Sequence, residues 1–341
     1  MTTAIVFLGV YFSACILALV RHPIYGTLAY IGVFFIHPPT RWWSFVVPEL
    51  RWSLLAAAFT IVGILIHRKE LHKKRLIDNG IIIGIALLIV WLAVQSLWAL
   101  NQPMHTELIN YYIKYLIAIG LIYKSVDTEH HLKLFLWAHF LGCVYFGVSA
   151  TFNYDGGRFE DLGGPGFSDA NFAGIQAVAG IFAAAALVLA GSLKERIAAA
   201  CLVPFVVNGL ITTISRSSFL AMLAGGLVFV WFCPRKYRLA AITIGAIGIM
   251  GFMSLTHGQY WERINTILFA GEEVQGVETG HARLIVWNAQ AEMFAEHPMG
   301  CGHRCTATLS PNYIDDRYLT GPPDNRARSS HNTYLTMLVE Q

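Results

Sequence analysis

Five places along the chain have residue types that could do chemistry. The first runs from Arg158 through Gly163, Gly164, Pro165 and Gly166 to Ser168, Asp169 and Asn171. Glycines let the backbone approach a ligand or take positive φ, and Ser, Asp and Asn suit a helix N-cap. The stretch reads either as a tight capped loop with a solvated arginine or as an anion-binding loop. A helix N-terminus and a guanidinium both favour phosphate. The second is Ile214-Ser-Arg-Ser-Ser218, where Arg216 has no acidic neighbour in sequence. Arg216 either reaches lipid headgroups or sits at headgroup depth to grip the phosphates of a lipid substrate.

Arg283 lies in His281-Ala-Arg-Leu-Ile-Val-Trp287, at the start of a predicted helix. A cation there opposes the helix dipole. A bound anion would remove the mismatch, and so would a salt bridge within the loop. The fourth stretch is Ser329-Ser-His-Asn-Thr-Tyr334. His331 is either a polar residue at a helix end or a general base, with an unperturbed pKa near about 6.5. Ser329, Ser330 and Asn332 could seat the helix start, with Arg326 and Arg328 just before and Tyr334 just after. The fifth is Lys114, inside an apolar run: functional by default there, or snorkelling to the surface.

No zinc-type His/Cys spacing, Walker loop, dinucleotide glycine pattern or nucleophile elbow occurs. Glu272-Glu273 and Asp315-Asp316 are weak metal signals, better read as solvated loop residues. Several arginines, one histidine and few paired carboxylates suit an anionic leaving group stabilised without a metal. No cofactor is expected.

The elements that must position these residues follow from composition. Of 341 residues, 55% are hydrophobic and 13% charged, and the mean hydropathy is +0.53. A soluble domain carries about 25% charged residues. The apolar residues fall in blocks near the roughly 20 residues that cross a bilayer. This excludes a soluble enzyme, a disordered chain, a collagen-like fibre and a disulfide-stapled secreted module. The net charge of +3 gives no reason to expect a nucleic-acid partner.

Apolar runs predict helices over 2–20, 24–37, 52–66, 80–100, 108–123, 134–152, 171–190, 197–213, 219–233 and 239–256. The fold class is therefore an all-α polytopic membrane protein with about 11–12 transmembrane helices. Residues 1–256 form the helical bundle. Residues 257–330 form a long outer loop domain with amphipathic helices at Trp261 to Phe269 and Leu284 to Phe294, the second ended by His297-Pro298 and Gly300/Gly302. Residues 331–341 are too short to span, so they begin a further transmembrane helix and the natural chain is expected to continue. The start lacks the basic region of a signal peptide, and no internal repeat of the transporter kind is visible.

Lys/Arg bias orients the bundle. Arg68, Lys69, Lys73, Lys74 and Arg75 crowd one loop; alternate loops hold Lys124 and Lys133, Lys194 and Arg196, then Arg235, Lys236 and Arg238. These loops are expected in the cytoplasm. The loops around 153–170 and 214–218 and the segment 257–330 then face the periplasm or exterior, and parity puts the N-terminus outside. Cys15, Cys143, Cys201 and Cys233 read as small hydrophobes; Cys301 and Cys305 leave a local disulfide open in an oxidising compartment.

Together the Gly-Pro-Gly-x-Ser-Asp-Ala-Asn171 loop, Ser215-Arg-Ser-Ser218, Arg283-x-x-x-Trp287, His297-Pro-x-Gly-x-Gly302 and Ser330-His-Asn-x-Tyr-Leu335 resemble the bacterial O-antigen ligase/polymerase superfamily. Their order is most similar to the O-antigen ligases, including the probable O-glycosylation ligases associated with exosortase systems. The resemblance runs from about residue 68 to the end. It implies a glycosyltransferase of the inner membrane with a periplasmic active site. The implied donor is an undecaprenyl-pyrophosphate-linked glycan and the implied acceptor is lipid A–core oligosaccharide, among membrane lipids. It implies His331 as general base and Arg216 and Arg283 as pyrophosphate holders, with Arg158 a weaker carry-over. Lys114, Asp169, Asn171, Ser215, Trp287, Asn332 and Tyr334 are candidate supporting residues. An O-antigen polymerase or a protein O-oligosaccharyltransferase shares donor and chemistry; a lipid-linked saccharide transporter is the reading from another class.

Overall fold

The computed structural model describes residues 2–71, 75–159, 164, 167, 169–256, 258, 261, 265, 281–321, 327–328 and 330–341. The expected helix from Trp261 to Phe269 falls largely outside these residues. So do Glu272-Glu273, Gly163, Pro165, Gly166, Ser168, Arg326 and Ser329.

Among the described residues the regular structure is helical, with one isolated antiparallel bridge between Thr320 and Ala327. The helices are α1 (Thr2–Val20), α2 (Ile24–Ile36), α3 (Trp52–Ile66), α4 (Gly80–Gln95), α5 (Gln102–Ser125), α6 (Glu129–Asn153) and α7 (Ala170–Ala190). They continue as α8 (Leu193–Thr212), α9 (Arg216–Phe232), α10 (Arg235–Leu255), α11 (His281–Glu296), α12 (Cys305–Tyr313) and α13 (Thr333–Glu340). Five of them, α1, α6, α7, α8 and α10, are long and apolar enough to cross a membrane; α3, α4 and α9 are shorter apolar helices. The chain is an all-α, multi-pass membrane protein.

Hydropathy located these helices but clipped their ends. Helix α6 begins at Glu129 rather than near 134, and α10 at Arg235 rather than near 239. Their first turns are charged, yet Thr128 caps α6 through the His131 N–H and Pro234 precedes α10. Such polar turns are helical without being apolar, so an apolar count misses them. Helix α4 stops at Gln95, earlier than the expected 100, because the chain turns there through Ser96–Trp98.

The chain divides into two compact units: 1–73 with 121–264, and 74–120 with 265–341. The first unit is centred on α2, α6, α7 and α8, with Phe35, Phe140, Phe146, Phe167, Leu187, Val206 and Leu210 buried together. Helix α7 contributes Ala173, Ala177, Ala183 and Ala184, small residues that let helix backbones approach closely. Phe167 stacks on Phe146 with ring centroids 5.1 Å apart. That contact roots the loop before α7 in the core, and burying such a ring is worth roughly 1.5–3 kcal/mol. A second cluster joins α1, α2 and α3 around Phe7, Tyr11, Trp43 and Trp52; there the Tyr11 hydroxyl donates to the Trp52 carbonyl at 2.6 Å.

The second unit packs Val286, Ala289 and Met293 of α11 against Cys301, Cys305, Ile314, Leu319 and Val339. Cys301 and Cys305 are disulfide-bonded, with Cα atoms 5.7 Å apart. Helix α12 has no counterpart in the sequence reading. Its nine residues include Thr306, Thr308, Ser310 and Pro311 and show no apolar period, so the disulfide and burial of Cys305 hold what propensity does not. The turn before it fits only with glycine: Gly302 has φ +91°, and a Cβ there would lie 2.5 Å from that of Ala99. Trp98 Nε1 donates to the Gly300 carbonyl at 2.9 Å, and Gln95 Nε2 to the Glu340 carbonyl at 2.9 Å.

Candidate functional site

In the first unit the candidates of the 158–171 stretch and of the 215–218 turn come together. Asp169 caps α7, accepting from the backbone N–H groups of Asn171 at 2.7 Å and Phe172 at 3.3 Å. It is therefore occupied as a helix cap. Asn171, in the first turn, directs its Oδ1 to accept from the Ser215 hydroxyl at 2.8 Å and from Arg158 Nη2 at 3.3 Å. Arg158 Nε also donates to the Thr213 carbonyl at 3.3 Å, so this half-buried guanidinium bridges both stretches.

The turn that carries Arg216 is tight. Helix α8 ends at Thr212 and α9 starts at Arg216. Ile214 between them has φ 46°, an uncommon conformation for a β-branched residue that costs about 1–3 kcal/mol. Packing holds it there: Ile214 is buried beside Ile211 and Phe219. Ser215 then caps α9 by accepting from the Ser218 N–H at 3.3 Å, and Ser218 Oγ donates to Ser215 Oγ at 2.9 Å. Gly174 on α7 makes room, since a Cβ there would lie 2.2 Å from the Ser218 hydroxyl. Arg216 is half-buried at the first position of α9, whose first turn contains no acidic residue. The positive end of a helix plus a guanidinium is a setting for an anion.

Sequence reasoning passed over His37 and Arg41 in this unit. Gly164, with φ +102°, packs against His37 so closely that a Cβ would meet the His37 Cβ at 2.8 Å. Burial, and then the Arg41 guanidinium, hold the His37 imidazole below its ordinary value. Arg41 lies over the Tyr145 ring, 5.5 Å from its centroid. The available signal was the Pro38-Pro39 pair, which ends α2 and turns the chain back.

In the second unit the His331 segment is fastened on both sides. The Trp287 indole N–H donates to the Ser330 carbonyl at 2.8 Å, and Ser330 Oγ meets Thr336 Oγ1 at 2.8 Å. Asn332 caps α13, its side chain accepting from Tyr334 N–H at 3.1 Å and Leu335 N–H at 3.3 Å. Between these anchors His331 adopts φ 49° and is solvent-exposed. The backbone is held in this left-handed conformation between hydrogen-bonded neighbours. Arg283 lies one turn before Trp287 on α11, hence on the same helix face, and is half-buried. Arg328 donates instead to the Tyr318 carbonyl at 3.1 Å. Tyr334 is 89% exposed. Lys114 is an exposed residue of α5 with its ammonium 5.3 Å from the Tyr111 ring centroid.

Each unit thus offers cationic or basic groups at helix starts or beside a cap. In the first they are Arg158 and Arg216, tied through Asn171 and Ser215; in the second they are Arg283 and His331, tied through Trp287 and Ser330. Residues 197–341 match a family model described as O-antigen ligase. The match contains Arg216, Arg283 and His331; Lys114, Arg158, Asp169 and Asn171 precede it. The chain is thus similar to O-antigen ligases over residues 197–341, which run from within α8 through α13. No curated protein and no solved structure matches the chain.

Proposed function

We propose that this chain, with its O-antigen ligase match over 197–341, is an inner-membrane ligase acting at the periplasmic face. It transfers an O-antigen from undecaprenyl pyrophosphate to lipid A–core oligosaccharide. The observation that carries the reading is that the matched region holds Arg216, Arg283 and His331, each at the start of a helix or beside its cap. The Cys301–Cys305 disulfide supports the periplasmic assignment, because such bonds persist in oxidising compartments.

The chemistry is a single displacement. An acceptor hydroxyl attacks the anomeric carbon of the donor sugar, and the bond from that carbon to the pyrophosphate oxygen breaks. His331 takes the hydroxyl proton as general base. Undecaprenyl pyrophosphate leaves with the bonding electron pair, and Arg216 and Arg283, with Arg158 in support, stabilise the charge it gains. Guanidinium groups match phosphate oxygens in bidentate fashion, and fixed cations aimed at developing charge are a large source of rate enhancement. One displacement inverts the anomeric configuration, and the arginines supply the neutralisation that a divalent metal provides elsewhere.

Deleting the gene and resolving the lipopolysaccharide by gel tests the acceptor. Loss of the long-chain ladder, with intact core and accumulated lipid-linked glycan, is the expected result. Core carrying a single repeat unit would make the chain a polymerase, and an unchanged ladder would move the acceptor to a protein or another glycan.

A further inference from the structure

His22, Asp127 and His131 form a second constellation, wholly within the first unit. His22 lies in the turn between α1 and α2, Asp127 in the turn between α5 and α6, and His131 in the first turn of α6. His131 Nδ1 is 2.5 Å from Asp127 Oδ1, and His22 Nε2 is 3.6 Å from Asp127 Oδ2. The two imidazoles stack with centroids 4.0 Å apart and 24° between planes. All three side chains are largely buried, at 17%, 9% and 16% exposure for His22, Asp127 and His131. Arg158 follows the far end of α6; its 25 residues at about 1.5 Å each put roughly 35 Å between this cluster and the Arg158–Asn171–Ser215 group. The pyrophosphate chemistry proposed above makes no use of it.

We propose that His22, Asp127 and His131 bind one divalent transition-metal ion of the zinc class, clipping the α1–α2 turn to the start of α6. One potential ligand atom from each residue lies within 4.8 Å of the other two. Tetrahedral zinc at roughly 2.0–2.2 Å from each ligand sets them about 3.3 Å apart. The 2.5 Å contact of His131 is to Asp127 Oδ1 and the 3.6 Å contact of His22 is to Oδ2, so the carboxylate already offers one oxygen to each imidazole. Two imidazoles and one carboxylate select zinc-like ions over magnesium or calcium, which prefer all-oxygen shells. The nearby imidazole of His67 is engaged by the Leu19 carbonyl at 3.0 Å and by Glu70 at 3.1 Å, leaving the fourth position to water. His22 Nδ1 accepts from the Ile24 N–H at 3.2 Å. Ligation through Nε2 needs the proton on Nδ1, so loading opens that contact and shifts the 22–24 turn. The ion binds the folded chain and joins segments far apart in sequence, so it stabilises by mass action.

The test uses the untagged full chain in detergent, stripped with chelator, loaded with Zn²⁺ or Co²⁺ and freed of excess ion. One equivalent of retained zinc by mass spectrometry, a rise in melting temperature, and the intense visible bands of tetrahedral Co²⁺ are expected. His22→Gln and His131→Gln should each weaken binding at least as much as the roughly 10- to 100-fold that losing an outer-sphere partner costs. Failure of the wild-type chain to retain stoichiometric metal would overturn the site, as would retention by both variants equal to that of wild type. The wild-type cobalt spectrum decides the matter even if a variant does not fold. None of these readouts depends on glycan transfer, so the site and the ligase reading stand or fall separately.

Discussion

Asn171 Oδ1 accepts a 2.8 Å hydrogen bond from the Ser215 hydroxyl, joining the first turn of α7 to the residue that caps α9. Through the same oxygen it receives Arg158 Nη2 at 3.3 Å. One amide therefore fixes the relation between the loop carrying Arg158 and the turn carrying Arg216. Asn171→Ala removes the shared acceptor, and each net hydrogen bond lost costs about 1 kcal/mol. We expect a melting temperature lower by a few degrees and a donor KM raised about 10-fold, the kinetic equivalent of roughly 1.4 kcal/mol. Steady-state transfer kinetics and a thermal melt measure both.

Arg216 stands where a helix N-terminus and a guanidinium coincide. Arg216→Ala should lower kcat/KM about 10²-fold or more, as loss of one charge-stabilising donor does elsewhere. Arg216→Lys should recover only part of it, because an ammonium keeps the charge but not the bidentate fork. Full activity in Arg216→Ala would remove this residue from the donor site.

Gly302 combines φ +91° with a Cβ position already filled by Ala99. Gly302→Ala should destabilise the second unit by about 1–3 kcal/mol through overpacking and backbone strain. A thermal melt that matches wild type would contradict the packing of this turn.

The Cys301–Cys305 disulfide closes a short loop around the turn into α12. On the chain-entropy account a loop of this size contributes about 2 kcal/mol. Thiol labelling of protein made in cells should modify these two residues only after reduction, and Cys301→Ser with Cys305→Ser should lower the melting temperature. Labelling without reduction would place the segment in a reducing compartment and contradict the periplasmic assignment.

Much of this was legible in the sequence because it is local. The apolar runs mark α1, α3 and α7 nearly to the residue, and Asp169 and Asn332 are caps of the expected type, whereas α8 starts four residues before its apolar run because the Ser192/Glu195 capping box supplies a polar first turn. What was not legible is long-range or conformational. Nothing near Asn171 in sequence shows that Ser215 will donate to it. Ile214 and His331 take positive φ only because buried or hydrogen-bonded neighbours hold them there. Helix α12 rests on a covalent bond rather than on propensity. His22 meets Asp127 and His131 only through the packing of α2 on α6, so no local metal spacing could reveal the cluster.

The most direct test of the central claim is transfer from a purified undecaprenyl-pyrophosphate-linked glycan to lipid A–core in proteoliposomes containing EDTA. Product mass and anomeric configuration are followed for wild type and His331→Ala. Wild type should form product with inverted configuration in the presence of chelator, while His331→Ala binds donor but forms none. Normal transfer by His331→Ala, retained configuration, or turnover that returns with added Mg²⁺ or Mn²⁺ but not with Zn²⁺ would contradict the account.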